Sequence, residues 1–391
     1  MEIKPNKIIQ GFGKYAFAEV DELADKLKAQ GIAPVDFGVG DPQEPTPARI
    51  RAACKEAIDA RKAAGYPSYV GDKAYREEIA NWTKHRFGVS LNPETEICSS
   101  IGSKEAIFNF PHAFLEQGDY VLVPNPGYPP YERGTLFAGG KVHFMNLLPE
   151  NNFFPDLGAI PKDVVQKAKI IWVNYPNNPT TALATKEFYK ELIEFAHTNN
   201  IIIASDEPYT ENYYAEKPIS ILNVEKEGVV IFQSLSKRSN MTCYRVGWIA
   251  GDERIIGQFK KLKTSIDSGT ATFIQDAAVA ALRDEIHVEQ LRAEYRKKRD
   301  LLVSAFADAG CPRCEPQGTI YLWQRVPEEM SSIEFAKKLL APETALVVTP
   351  GEWISAEVQG INPGKNYVRL ALVPTLDACK EAAERIRNLK L

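Results

Sequence analysis

Val229-Val230-Ile231-Phe232-Gln233-Ser234-Leu235-Ser236-Lys237-Arg238-Ser239-Asn240 is a strand-forming run that feeds directly into a polar, basic turn. A mostly apolar run with little alternation reads as a strand buried on both faces, as in a parallel sheet covered by helices on each side. Outward from it, Glu96–Ser100, Tyr120–Pro124, Ile170–Asn174 and Ile201–Ser205 are runs of the same kind. Helical stretches separate them. Lys186 to Asn199 sets Phe188, Leu192, Phe195 and Ala196 on one face, with Thr185 as the N-cap. The alternation from about Pro47 to Ile286 predicts an α/β architecture with a largely parallel sheet. The last hundred or so residues read as a smaller α+β unit. Near the other end Val20, Leu23, Ala24 and Leu27 fall at helical spacing between Tyr15 and Gln30, and Gly31 is the stop. Val35 to Gly40 then reads as a short strand entering a glycine turn.

The chain has 391 residues, enough for two domains of ordinary size. Lys+Arg is 47 and Asp+Glu is 51, a formal charge of −4, which gives no electrostatic reason to seek nucleic acid or anionic lipid. A small-molecule protein is expected, without a nucleic-acid or membrane partner. Met1 to Lys14 lacks an apolar signal-peptide core, and no stretch is long and apolar enough to span a bilayer. Six scattered cysteines suit a reducing cytoplasm, and Cys311-Pro-Arg-Cys314, with no second pair or nearby histidine, reads as two thiols beside a turn. The five histidines form no metal-ligating spacing, so no metal is expected.

In open α/β sheets ligands gather beyond the carboxyl ends of the strands. Asp206, in Asp206-Glu207-Pro208-Tyr209, stands at one such end. A carboxylate there can keep a pyridine nitrogen protonated and so make the ring an electron sink. Tyr209 can donate to a phenolate oxygen on the same ring; a helix cap and a packing tyrosine are the plain alternatives. Lys237 follows the next strand and faces the pocket or, read alone, belongs to a basic surface turn. Arg245 nearby is expected to lower its pKa and free the amine for imine formation. Ser234, Ser236 and Arg245 offer donors suited to a phosphate. Gly102-Ser103-Lys104 opens a helix after a strand, a common anion site. Asn178, in Asn174-Tyr175-Pro176-Asn177-Asn178-Pro179-Thr180, can reach the phenolate oxygen.

Asn178, Asp206, Tyr209, Lys237 and Arg245 have the order and spacing of the class I/II, fold type I aminotransferases. Ser234 through Trp248 closely resembles that family's lysine motif, and the resemblance covers nearly the whole chain. It implies a fold type I transferase with pyridoxal 5′-phosphate joined to Lys237. Residues 1–46 would form an N-terminal arm and part of the small domain, 47–286 the large cofactor-binding domain and 287–391 the small C-terminal domain. It further implies that Tyr128 stacks on the cofactor ring and that Tyr66 reaches the phosphate of the neighbouring subunit, making a homodimer with shared sites. Arg369 would grip the substrate α-carboxylate, with Gly40 lining the opposite side and Asn178 beside it. Thr181 and Cys243 depart from the pattern, standing where the family commonly has glycine.

The implied reaction is ping-pong transamination between an amino acid, with glutamate as donor, and a 2-oxo acid. Lys104 aligns with a residue that binds the distal carboxylate of dicarboxylic substrates in one aspartate aminotransferase branch. Pro350-Gly351-Glu352-Trp353, Asn362-Pro363-Gly364 and Val368 to Val373 resemble the branch of LL-diaminopimelate and N-succinyl-LL-diaminopimelate aminotransferases, which serve lysine biosynthesis. Aspartate or alanine aminotransferase is the runner-up, and a pyridoxal-phosphate lyase on the same fold is a third reading. Ser234-Leu-Ser-Lys237 is formally an SxxK acyl-enzyme motif, but its partner motifs are not found. An aminotransferase-like regulator would need a DNA-binding module, for which 391 residues leave no room.

Overall fold

The computed structural model describes residues 1, 3–11 and 18–389, with the side chains of 18–21 excepted. Its centre is a seven-stranded sheet in the order Ile97–Ser100, Gly247–Gly251, Val229–Ser234, Ile202–Asp206, Ala168–Asn174, Tyr120–Asn125, Lys141–Asn146. Val229–Ser234 through Lys141–Asn146 pair in parallel, while Gly247–Gly251 runs antiparallel to both of its neighbours. All five expected strands are present, each within two residues of its expected bounds at either end. The expectation did not include Lys141–Asn146 or Gly247–Gly251. The first is largely half-buried at a sheet edge, and the second is five residues long with a glycine at each end.

The absence of alternation along these strands has the expected cause. Ile171, Val173, Ile203 and Ile231 join one apolar core, while Ile170, Trp172, Ala204, Val230 and Phe232 join another. Neighbouring residues thus point to opposite, equally dry faces. Helix Lys186–Asn199 begins where Thr185 Oγ1 accepts from Phe188 N at 3.1 Å and ends at Asn200 with φ of 56°. It buries Phe188, Leu192 and Ala196 as its spacing predicts.

A third core gathers Val35, Phe37, Leu302, Phe306, Leu322, Phe335, Leu370 and Ile386. It packs a three-stranded antiparallel sheet, Thr349–Pro350, Tyr367–Ala371 and Tyr321–Arg325, against helices Ile286–Asp308 and Leu376–Arg387. The short strand Val35–Asp36 pairs in parallel with Leu346–Val347, so the early segment belongs with the end of the chain. Helix Ala18–Ala29 buries Ala24 and Leu27, and Gly31 follows at φ 80°. Tyr15 and the Val20 side chain lie outside the described residues. Between the cores Glu211, 3% exposed, takes Arg86 Nε at 2.6 Å and Arg292 Nη2 at 3.3 Å. Among the described residues no helix is long and apolar enough to cross a membrane.

Candidate active site

The carboxyl ends of the parallel strands open into a cavity of 590 Å³, closed on the other side by residues 38–41, Tyr321 and Arg369. Of the residues expected in the site, Gly40, Ser103, Lys104, Tyr128, Asn178, Asp206, Tyr209, Ser234, Ser236, Lys237, Arg245 and Arg369 all line it. Tyr66 does not, and is 93% exposed.

Asp206 is the last residue of its strand and is 4% exposed. Its Oδ2 accepts from Tyr131 Oη at 2.6 Å, while the buried Oδ1 has no partner. Burial pushes its carboxyl up to about 7, which the Tyr131 hydrogen bond only partly offsets. Behind the pair, Tyr131 stacks on Trp172 at 4.9 Å and 18°. Asn174, in register with Asp206 on the adjacent strand, donates Nδ2 to the Asp206 carbonyl at 2.7 Å and accepts from Asn178 N at 2.8 Å. It thereby fixes Asn178 relative to the carboxylate.

Also lining the cavity, Ser234 Oγ donates to Ser236 Oγ at 2.9 Å and accepts from Ser236 N at 3.1 Å. Arg245 adopts φ of 51°. Gly102, at φ 74°, lies against its guanidinium, so that a Cβ there would collide with Arg245. Lys237 Nζ donates to the Gly40 carbonyl. Its pKa is lowered chiefly by burial. Tyr321 and Asp41 oppose that shift, and Arg245 adds only a smaller push downward. The sequence-based expectation named the neighbouring cation as the cause; the dry surroundings of the strand end outweigh it.

Arg369 Nη1 donates to Asn178 Oδ1 at 3.2 Å, and Nη2 to the Gly38 carbonyl at 2.9 Å. Its buried Nε has no partner, so the fork retains free donors for a planar anion. Thr181, where the family commonly has glycine, adopts a glycine-like φ of 67°. Its N–H is bonded to the Asn177 carbonyl and its carbonyl to Gly318 N–H, so the loop is held despite the side chain.

Sequence reasoning missed Tyr131 and Tyr321. Both are buried aromatics, one in a helix and one in a strand, and their hydroxyl partners are what tie them to the site. Asn174 was visible as part of the Asn-Pro segment, but its bridging role was not.

The orphaned carboxylate oxygen and the cluster of hydroxyls and guanidinium in the same cavity suit the pyridine nitrogen and the phosphate of pyridoxal phosphate. They line one cavity with the half-buried Lys237, whose amine has a lowered pKa. Fold and cavity together define a fold type I pyridoxal-phosphate enzyme. More narrowly, the chain belongs to the class I and II aminotransferases: the model of Aminotransferase class I and II matches residues 33–386. It is 45% identical over 381 residues to an LL-diaminopimelate aminotransferase of Aquifex aeolicus (strain VF5), covering 96% of this chain and 97% of that protein. Among solved structures it resembles substrate-bound BacF from Bacillus subtilis, with a TM-score of 0.91 and 33% identity over 100% of this chain and 99% of that one. It also resembles a mutant Thermus thermophilus aspartate aminotransferase, with a TM-score of 0.89 and 27% identity over 99% and 100%.

Proposed function

We propose that this pyridoxal-phosphate-dependent aminotransferase acts on a diamino dicarboxylate, LL-diaminopimelate, with glutamate and 2-oxoglutarate as the exchanging pair, in lysine biosynthesis. The observation that carries this reading is that Arg369, held by Asn178 and Gly38, and the exposed Lys104 line one cavity, offering two cations to a substrate with two carboxylates. The LL-diaminopimelate specificity of the Aquifex relative supports the same choice.

In this reading Arg369 binds the α-carboxylate by its fork, steadied on one side by Asn178 and on the other by the Gly38 carbonyl. Bound pyridoxal phosphate supplies an electron sink for the electrons left at the substrate Cα. Asp206 Oδ1 would hold the ring nitrogen protonated, and Asn178 and Tyr209 would steady the phenolate oxygen. Ser103, Ser234, Ser236 and Arg245 would hold the phosphate, and Tyr128 would cover a ring face. Lys237 would carry the cofactor and would supply the amine that takes and returns the proton at the substrate Cα; its lowered pKa favours the free base this role needs. Gly40 would line the substrate on the opposite side, its missing side chain leaving room for Tyr321. Residues 47–286 would serve as the cofactor-binding domain, with 1–46 and 287–391 supplying the smaller one. The enzyme works as a cytoplasmic homodimer in which Tyr66, exposed on the single chain, reaches the phosphate of the neighbouring site.

A panel of amino acids tests the substrate. LL-diaminopimelate, its N-succinyl form, aspartate, alanine and glutamate are each added to holoenzyme, and the change in cofactor absorbance is followed. LL-diaminopimelate and glutamate should give the fastest changes. A response confined to aspartate or alanine would transfer the enzyme to that specificity. Size-exclusion chromatography of Tyr66→Ala holoenzyme, with cofactor affinity measured alongside, tests the shared site.

A further inference from the structure

Tyr321 opens the strand Tyr321–Arg325 and is 4% exposed, yet it borders the cavity. Its hydroxyl lies 3.2 Å from the Tyr209 hydroxyl in a shared hydrogen bond, with the rings 5.7 Å apart at 71°. The Arg369 guanidinium lies over the face of the same ring, 4.7 Å from its centroid. On the third side is Gly40: a Cβ added there would run into the Tyr321 hydroxyl and ring edge. The Gly40 carbonyl is in turn the acceptor for Lys237 Nζ. One phenol therefore meets the carboxylate fork, the phenolate donor and the backbone on which the lysine rests.

Packing alone would not require this residue, because phenylalanine fills nearly the same volume. The hydroxyl gives the buried Tyr209 hydroxyl a partner, and a buried hydroxyl without one is costly. The ring face restrains Arg369 in a direction its hydrogen bonds do not, since Asn178 and Gly38 hold the fork at its edge. An arginine fixed both at its edge and on its face meets its anion with little ordering left to do.

We propose that Tyr321 is a positioning residue of the transamination site: its ring face fixes the plane of the Arg369 guanidinium, while its hydroxyl fixes Tyr209 and keeps position 40 free of a side chain. The inference rests on the roles given above to Arg369 and Tyr209.

The test uses holoenzyme and whichever amino acid it turns over fastest. Tyr321→Leu removes ring and hydroxyl, and should raise the amino-acid KM by about tenfold with a smaller change in kcat, the size of a lost desolvated cation–π contact. Tyr321→Phe keeps the ring; its KM should stay within about twofold. Instead the pH midpoint of its cofactor absorbance should shift, because Tyr209 has lost its anchor. Gly40→Ala should damage kcat/KM less in the Tyr321→Phe background than in the wild type, since the hydroxyl it collides with is gone. An unchanged KM in a folded Tyr321→Leu enzyme would overturn the ring's role. An unmoved absorbance midpoint in Tyr321→Phe, with additive losses in the double variant, would overturn the hydroxyl's. Should the leucine variant fail to fold, the phenylalanine and double variants decide. Arg369→Lys separates the inference from its foundation: an unchanged KM there would sink the carboxylate role of Arg369 itself, whatever Tyr321 does.

Discussion

Tyr131 donates its hydroxyl to Asp206 Oδ2 at 2.6 Å and leaves Oδ1, equally buried, without a partner. The carboxylate is thus held by one oxygen and free to act with the other. Asp206→Asn cannot carry the charge that keeps a pyridine nitrogen protonated, and kcat should fall by at least about a hundredfold. Tyr131→Phe keeps the charge but removes a hydrogen bond to it, and should weaken cofactor binding by roughly tenfold. Steady-state rates and absorbance titration with pyridoxal phosphate read the two effects. Equal kcat losses from both changes would mean that charge at position 206 is not the operative property.

Asp206 and Glu207 are both pushed up to about 7 by burial, from ordinary values of 3.8 and 4.5. Glu207 Oε1 accepts from Ser205 Oγ at 2.9 Å and Ile221 N at 3.1 Å, and these bonds lower its pKa only in part. Between about pH 4 and about 7 the folded cofactor-free chain holds protons that the unfolded chain has released. Its stability contribution from these groups is therefore full at low pH and lost as pH rises through that window. Thermal midpoints of cofactor-free protein should decline across the window, and Glu207→Gln should flatten the decline. Bound cofactor should flatten it too, by setting a cation against Asp206. An identical slope in all three would contradict the assignment.

Arg369→Lys replaces a planar fork by a point charge that cannot keep both Asn178 and Gly38 while binding a carboxylate. The loss should appear as an amino-acid KM raised by at least about tenfold, the scale of one charge-assisted hydrogen bond. Stopped-flow measurement of the amino-acid half-reaction would separate this from any loss of cofactor.

Glu211 lies between Arg86 and Arg292 and joins helix Lys73–Phe87 to helix Ile286–Asp308. Glu211→Ala would leave two cations with little water and no carboxylate, a cost of about 3–5 kcal/mol. Urea unfolding should show the lowered midpoint, whereas a change below about 1 kcal/mol would mean that water replaces the carboxylate.

The site was legible in the sequence wherever chemistry stood at the end of an apolar run. Asp206, Ser234 and Lys237 were found because a buried strand leaves its next polar residue at the rim of the sheet. Gly102 was read as a small residue that lets an anion approach a helix start; its packing against the Arg245 guanidinium was not legible. What stayed hidden was set by contacts distant in sequence. Tyr321 meets Tyr209 112 residues away, and Tyr131 meets Asp206 75 residues away, so neither leaves a local pattern. The strand Gly247–Gly251 escaped notice because glycine at each end leaves only Trp248, Ile249 and Ala250 as a strand-forming run. The pairing of Val35–Asp36 with Leu346–Val347 is likewise invisible in either segment alone.

That pairing also orders events during synthesis. Gly38 is tied to Thr349, 311 residues later, and the Val35–Asp36 strand has its partner in Leu346–Val347. A chain leaving the ribosome can close the sheet from Ile97 to Gly251 well before this partner exists. The wall formed by Gly38–Asp41 and Arg369 is therefore assembled last, and a nascent chain can carry its cofactor-side half long before it can hold a substrate.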